Sequence, residues 1–278
     1  MKQRIITGIV GIALLSVVLF FYQTIVFDIV IALVSVGAVL EMLDVCKVRD
    51  NTPVLVTSLL FAALVPFLRG GFLSPYGSLA PYVFAGVLLV LMIIQYPKLR
   101  FDKLSIAFFS SMLIPYAFST FLYIRDMITE FNLLYLLIIL VAAMIQDIFA
   151  YFVGKFFGRH KLIPSISPNK TVEGAVGGFV FCVLGTLLTA YIYQQVIFSM
   201  GTQFQIHYLW LALIAAVLAV VGVLGDLAAS VIKRQNEVKD FGNALPGHGG
   251  ILDRLDSMLF VAPTMYILIQ FIPLVSPM

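Results

Sequence analysis

The sequence has few charged residues and almost no cysteine. Lys, Arg, Asp and Glu make up 11% of the 278 residues, whereas a soluble domain carries roughly 25%. So few charges cannot cover a water-facing surface, which excludes a soluble globular, disordered or fibrous protein. The two cysteines, Cys46 and Cys182, form no CxxC pair and cannot build a disulfide framework, so we interpret them as packing residues.

Hydrophobic residues make up 62% of the chain and occur in long runs. A transmembrane helix needs about 20 apolar residues, so roughly nine helices with short loops fill the whole length. The sequence predicts an all-α integral membrane protein, a polytopic bundle of about nine transmembrane helices in a single membrane domain over residues 1–278. The predicted spans are residues 5–22, 24–45, 53–68, 79–96, 104–124, 132–154, 174–199, 208–232 and 255–275.

The basic residues predict the orientation of these spans. With the N-terminus in the cytoplasm, only Arg69 and Arg125 of the 17 Lys and Arg residues fall outside, which leaves 17 − 2 = 15 inside. Basic residues concentrate in cytoplasmic loops, so this bias favours a cytoplasmic N-terminus and, with an odd number of spans, an outside C-terminus. We predict a multi-pass protein of the cell (inner) membrane.

Acidic residues near the cytoplasmic end of the predicted bundle need a separate explanation. Asp226 lies near the end of the eighth span, and Ser230 and Lys233 share its helical face at i+4 and i+7. Asp253 and Asp256 are three residues apart at the predicted start of the ninth span. If the two faces meet, three carboxylates converge, and Mg²⁺ would relieve their repulsion. Alternatively, Asp253 and Asp256 only complement a helix dipole.

A glycine-rich turn, Gly247-His248-Gly249-Gly250, precedes the predicted ninth helix. Glycine lets the backbone approach a ligand closely, and amide groups at a helix N-terminus bind anions. The turn could therefore hold phosphate, although glycine and a lone histidine are also common in ordinary loops.

A second polar segment lies between the sixth and seventh predicted spans. It contains Lys170 in the sequence Ser-Pro-Asn-Lys-Thr-Val-Glu-Gly of residues 167–174. Lys170 is either an interfacial lysine or a substrate-binding one. Asp147, in the preceding span, is a candidate functional acid if it is buried. The small residues after Gly174 form either close helix contacts or a groove for acyl chains.

Together these residue types suit phosphoryl or nucleotidyl transfer at a membrane surface. Such chemistry needs metal ions and basic groups to hold a polyphosphate, and it needs little covalent catalysis. The sequence contains no HExxH zinc motif and no Walker-type phosphate loop.

The 27 residues from Ser230 to Asp256 resemble the signature of the phosphatidate cytidylyltransferase family, the CDP-diacylglycerol synthases. Residues 167–174 resemble a second segment of that family, from which Asn169 and Val172 depart. The resemblance covers roughly residues 140–260 by motif, and the earlier spans match only in character.

The resemblance implies the reaction CTP + phosphatidate → CDP-diacylglycerol + pyrophosphate at the cytoplasmic membrane face. It implies Mg²⁺ as cofactor, with a second cation left open, and a homodimer is compatible with the family. No nucleic acid partner is expected. The implied metal ligands are Asp226, Asp253 and Asp256, which with Lys233 and His248 form the implied catalytic set. The implied substrate-binding residues are Lys170, Ser230, Lys233, Arg234, Lys239, His248, Gly249, Gly250 and Arg254.

Two alternatives stay open at this point. A CTP-dependent polyprenol or phytol kinase, or a related enzyme that activates an archaeal ether lipid, would use similar groups on a different substrate. A transporter is disfavoured because its charged site would lie near the bilayer midplane between repeats. Asp28, Glu41 and Asp44 belong to no motif, and the sequence predicts no role for them.

Overall fold

A computed structural model of the chain describes residues 2–127, 131–244, 247 and 249–277, although the side chains of residues 2–7, 9, 12, 71–73 and 277 are not described. The structure is mostly helical. Its helices are α1 (Lys2–Phe20), α2 (Ile25–Val45), α3 (Thr52–Leu64), α4 (Ala80–Ile94), α5 (Phe101–Arg125), α6 (Asn132–Phe157), α7 (Val172–Ser199), α8 (Tyr208–Gln235), α9 (Leu252–Leu255) and α10 (Met258–Phe271), with short 3₁₀ segments at Val65–Phe67 and Gly71–Tyr76.

Each predicted span overlaps an α-helix. Among the described residues, five helices are long and apolar enough to cross a membrane, namely α2, α5, α6, α7 and α8, while Thr52–Phe67 and Ala80–Ile94 are shorter apolar helices. This pattern agrees with an all-α membrane protein. The count of nine spans and the orientation stay predictions.

Local capping explains where several helices begin. Thr24 precedes α2 and accepts a hydrogen bond from the Val26 amide, and Asn51 does the same for α3 through the Val54 amide. Such side chains satisfy amides that have no partner inside the helix. Pro53 follows Asn51 in the first turn of α3, where proline is tolerated because its missing N–H is not needed.

Two short antiparallel sheets accompany the helices, and the sequence did not predict them. Strands β1 (Lys161–Ile163) and β2 (Ser167–Thr171) pair within the α6–α7 connection. Strands β3 (Phe204–Ile206) and β4 (Val275–Pro277) pair with each other, and Gln205 lies opposite Ser276. Short strands of this kind give no periodic pattern long enough to recognise.

The chain divides into two compact units. The first comprises residues 1–122 and 233–255, and the second comprises residues 123–232 and 256–278. In the first unit, α2 packs against α3; in the second, α6 packs along α7. The single domain over residues 1–278 stays a prediction.

Both cysteines are free and buried, as expected of packing residues. Cys182 lies in α7, and Cys46 lies directly after α2.

Candidate active site

In the second unit, Lys170 of β2 forms an ion pair with Asp226 of α8. The Lys170 Nζ donates to Asp226 Oδ2, and the two side chains are 29% and 28% exposed. Ser230, one turn further along α8, donates its hydroxyl to Asp226 Oδ1 at 3.5 Å. The predicted sharing of a helical face by Asp226 and Ser230 is confirmed, and both lie beside Lys170.

The β1–β2 hairpin that carries Lys170 is fixed to the start of α7. Thr171 caps α7 by accepting a hydrogen bond from the Gly174 amide. The Glu173 carboxylate accepts hydrogen bonds from the amides of Arg159 at 3.0 Å and His160 at 3.2 Å. Glu173 also lies 2.6 Å from the His160 Nδ1. Sequence reasoning missed Thr171 and Glu173 as positioning residues, although a threonine before a helix is a capping signal.

Asp256 is buried in the second unit, between α9 and α10. Its side chain Oδ1 accepts the Ser257 amide at 2.8 Å, and the residue is only 6% exposed. Its backbone passes close to α8, because a methyl group placed on Gly225 would lie 3.0 Å from the Asp256 carbonyl oxygen. Glycine at position 225 therefore lets residues 225 and 256 approach, and Asp226 is the next residue along α8.

In the first unit, Asp253 is bonded on both carboxylate oxygens. Lys233 Nζ donates to Oδ1 at 2.8 Å, and the amides of Phe241 and Gly250 donate to Oδ2 at 2.7 and 3.0 Å. The Asp253 side chain is 3% exposed and that of Lys233 is 11% exposed. Lys233 also lies 5.1 Å from the centre of the Phe241 ring, within the range of a cation–π contact.

Asp253 and Asp256 do not share a face of one helix, and that prediction was wrong. Helix α9 ends at Leu255 and α10 begins at Met258, so Asp256 lies in the turn between them. The sequence has no proline or glycine at this break, so the residue pattern predicted one continuous helix.

In the glycine-rich turn, at least one backbone amide already has a hydrogen-bond partner within the protein. Gly249 has a positive φ of 85°, a conformation that favours glycine. The Gly250 amide, which was expected to face phosphate, donates to Asp253. His248 lies outside the described residues.

The other predicted basic residues are on the surface. Arg234, Lys239 and Arg254 are exposed, and Arg234 donates to the Val238 carbonyl at 3.2 Å. Asp147 is exposed rather than buried, and its neighbour Gln146 is buried. The condition that made Asp147 a candidate functional acid is therefore not met.

Among the residues that the structure describes, no group of three or more His, Cys, Asp or Glu side chains is arranged to hold a metal ion. The assignment of Asp226, Asp253 and Asp256 as metal ligands stays a prediction.

Comparison with known proteins decides the family. A sequence model of the cytidylyltransferase family matches residues 2–272. The chain belongs to this family. It is 39% identical to a phosphatidate cytidylyltransferase of Bacillus subtilis, with 97% of each chain covered.

Two further relatives extend the comparison. A phosphatidate cytidylyltransferase of Thermotoga maritima is 33% identical and covers 98% of this chain and 97% of its own length. One from Staphylococcus haemolyticus is 31% identical and covers 97% of this chain and 99% of its own length. The similarity therefore includes the N-terminal helices, which carry none of the recognised motifs.

Proposed function

We propose that this protein transfers the cytidylyl group of CTP to phosphatidate, forming CDP-diacylglycerol and pyrophosphate. The observation that carries the proposal is the similarity, along nearly the whole chain, to proteins named phosphatidate cytidylyltransferase. The long apolar helices suit an enzyme whose lipid substrate resides in the bilayer.

The reaction is an in-line displacement at phosphorus. A phosphate oxygen of phosphatidate attacks the α-phosphorus of CTP, and the bond from that phosphorus to the bridging oxygen of the leaving pyrophosphate breaks. The nucleophile is already an anion, so no general base is required. The protein has to position the two substrates and offset the charge of their phosphates.

Magnesium is the proposed cofactor, and the acidic residues of the second unit fit it. Asp226 and Asp256 offer carboxylate oxygens, and Mg²⁺ is usually held by one or two carboxylates together with substrate phosphates. The Asp256 backbone passes close to Gly225, the residue before Asp226, because a methyl group on Gly225 would lie 3.0 Å from the Asp256 carbonyl oxygen. When bound, Mg²⁺ would neutralise developing charge on the phosphates. Asp253 was predicted as a third ligand. Its nearly buried oxygens accept Lys233 and two amides, whereas the more exposed oxygens of Asp226 accept the partly exposed Lys170 and a 3.5 Å bond from Ser230.

Basic side chains of residues 167–174 and of residues 230–256 would bind the phosphates of the two substrates. Lys170 is partly exposed, so it can exchange Asp226 for a phosphate oxygen. We assign the exposed cations Arg234, Lys239 and Arg254 to the polyphosphate and the lipid headgroup. We assign Ser230 and the His248-Gly249-Gly250 turn to substrate binding, and we propose Lys233 and His248 as catalytic residues.

The proposed setting is the cell membrane, with the N-terminus and the site facing the cytoplasm, where CTP is found. This orientation rests on the distribution of basic residues. A homodimer and a second cation stay predictions.

The test uses purified protein in detergent with phosphatidate, Mg²⁺ and CTP labelled at either the α or the γ phosphorus. We expect only the α label to enter the lipid fraction. Entry of the γ label instead would show a lipid kinase. Entry of neither label would reject lipid-directed transfer and revive the transporter hypothesis.

A further inference from the structure

Glu41 of α2 binds the segment that leads into α9, which lies far away in the sequence. Its Oε1 accepts the Ile251 amide at 2.9 Å, and its Oε2 accepts the Leu252 amide at 2.8 Å. The residue is only 8% exposed, and it lies in a helix that is mostly apolar. A charged residue inside an apolar helix is costly unless it is paired, so the two amide bonds explain why it is tolerated.

The glycines of the α8–α9 loop (residues 236–251) make room for this carboxylate. A methyl group placed on Gly250 would lie 2.4 Å from Glu41 Oε2, and one placed on Gly242 would lie 2.5 Å from Oε1. Real Cβ atoms do not approach other atoms so closely. The contact therefore explains two glycines of the recognised signature by their partner in α2.

A second carboxylate holds the same loop from its other side. Asp253 accepts the amides of Phe241 and Gly250 while it binds Lys233. The beginning of the loop also touches the end of α2, where Asn236 Nδ2 lies 3.9 Å from Cys46 Sγ. Glu41 and Asp253 thus fix the backbone at Phe241 and at residues 250–252, and Asp253 also binds Lys233 at the end of α8, all within the first unit.

We propose that Glu41 is a positioning residue for the reaction, acting through the α8–α9 loop. This inference rests on the proposed function, because the loop matters for turnover only if its residues bind CTP or phosphatidate. The amides of Ile251 and Leu252 donate to different oxygens of Glu41, and a carboxylate provides an acceptor at both positions. A glutamine has nearly the same shape, but its NH₂ group would face one of the two amides.

The primary test is Glu41→Gln, with Asp44→Asn as the matched control on the same helix. Asp44 forms an exposed ion pair with Arg49, and such pairs contribute little to stability. We expect Glu41→Gln to lower kcat/KM for CTP by at least about tenfold, the effect of 1.4 kcal/mol, with little change in KM for phosphatidate. Asp44→Asn should behave as wild type. Equal kcat/KM for CTP in Glu41→Gln and wild type, per folded molecule, would overturn the proposal.

Hydrogen exchange of the loop gives a readout that does not depend on activity. Peptides covering residues 241–252 should exchange faster in Glu41→Gln, because the amides of Ile251 and Leu252 lose their charged partner. Unchanged exchange would contradict the contact. If the wild type transfers no α label but hydrogen exchange in residues 241–252 is still faster in Glu41→Gln, the proposed function is rejected. The result would still support the contact between Glu41 and the loop.

A double variant tests whether Glu41 and Gly250 act through one contact. Gly250→Ala alone should lower activity because its methyl group would collide with the carboxylate. Combined with Glu41→Gln, the loss should be smaller than the sum of the two single effects in free energy. Additive losses would show that the two residues act independently, against the proposal.

Discussion

Two of the lysines predicted to bind substrate, Lys170 and Lys233, are each paired with an aspartate, and the two aspartates differ in accessibility. The Lys170–Asp226 pair is partly exposed, and exposed pairs contribute about 0–1 kcal/mol, so it can exchange partners easily. The Lys233–Asp253 pair is nearly buried, and removing one partner of a buried pair costs about 3–5 kcal/mol. We infer that Lys170 can turn to a substrate phosphate, whereas Lys233 keeps its aspartate and acts from a fixed position.

Asp256→Asn should abolish transfer of the α label into lipid while the protein folds normally. Asparagine keeps an acceptor for the Ser257 amide, but it removes the negative charge that the proposed Mg²⁺ requires. We expect a loss of about 100-fold or more in kcat/KM, since a metal supplies several kcal/mol of charge stabilisation. The measurement is the α-label assay on detergent-purified protein.

The control for this change is Asp102→Asn, which removes a 55% exposed carboxylate paired with Arg100 on the surface. It should leave turnover and thermal stability unchanged. Near-normal turnover of Asp256→Asn would remove Asp256 from the proposed metal site.

At the scale of elements, α6 and α7 pack with their backbones close together. A methyl group on Gly174 would lie 2.6 Å from the Ala150 carbonyl oxygen, and one on Gly178 would lie 2.9 Å from the Gln146 carbonyl oxygen. The small residues at the start of α7 are therefore helix contacts. At Gly174 and Gly178 this favours the packing interpretation over a groove for acyl chains.

Gly178→Ala should lower the thermal stability of the purified protein. The added methyl group has backbone on one side and Ala150 Cβ at 3.0 Å on the other, and overpacking costs about 1–3 kcal/mol. Gly86→Ala in α4 is the control, because a methyl group there would meet no atom within 4 Å. Equal midpoints in thermal melts of the two variants would contradict the close packing of α6 and α7.

At the scale of the whole molecule, long apolar runs predicted the helix positions well. Their ends were less predictable, because α7 begins at Val172 under the cap of Thr171, and the last span is broken between α9 and α10. The signature contains Lys233, Asp253 and Asp256, the second segment contains Lys170, and Asp226 was identified by its helical spacing to Ser230 and Lys233. None of these patterns revealed Glu41, because its contact joins residues 210 positions apart and the acids of α2 belong to no motif.

The predicted orientation can be tested by labelling introduced cysteines with a membrane-impermeant maleimide in spheroplasts. Thr202 and Asp50 are exposed and lie in loops predicted outside and inside, respectively. Thr202→Cys should label in intact spheroplasts, and Asp50→Cys only after permeabilisation, whereas the reverse pattern would invert the topology.

The native cysteines should give little background in this experiment. Both are buried. Burial raises the pKa of the Cys46 thiol, against smaller lowering effects of Lys103 and Asn236. A raised pKa means less thiolate near neutral pH, and therefore slower alkylation. The wild-type protein should accordingly stay unlabelled.

The bond between Glu41 and the amides of Ile251 and Leu252 also has a consequence for biosynthesis. A ribosome adds about 5–20 residues per second, so Glu41 leaves it on the order of ten to forty seconds before its partners, 210 residues later. During that interval its carboxylate lacks both amide donors and must be solvated or bound by another partner. A nascent chain stalled before residue 250 would thus contain α2 but not the two amides that bind Glu41 in the folded protein. Insertion chaperones would encounter α2 with this carboxylate not yet bound to those amides.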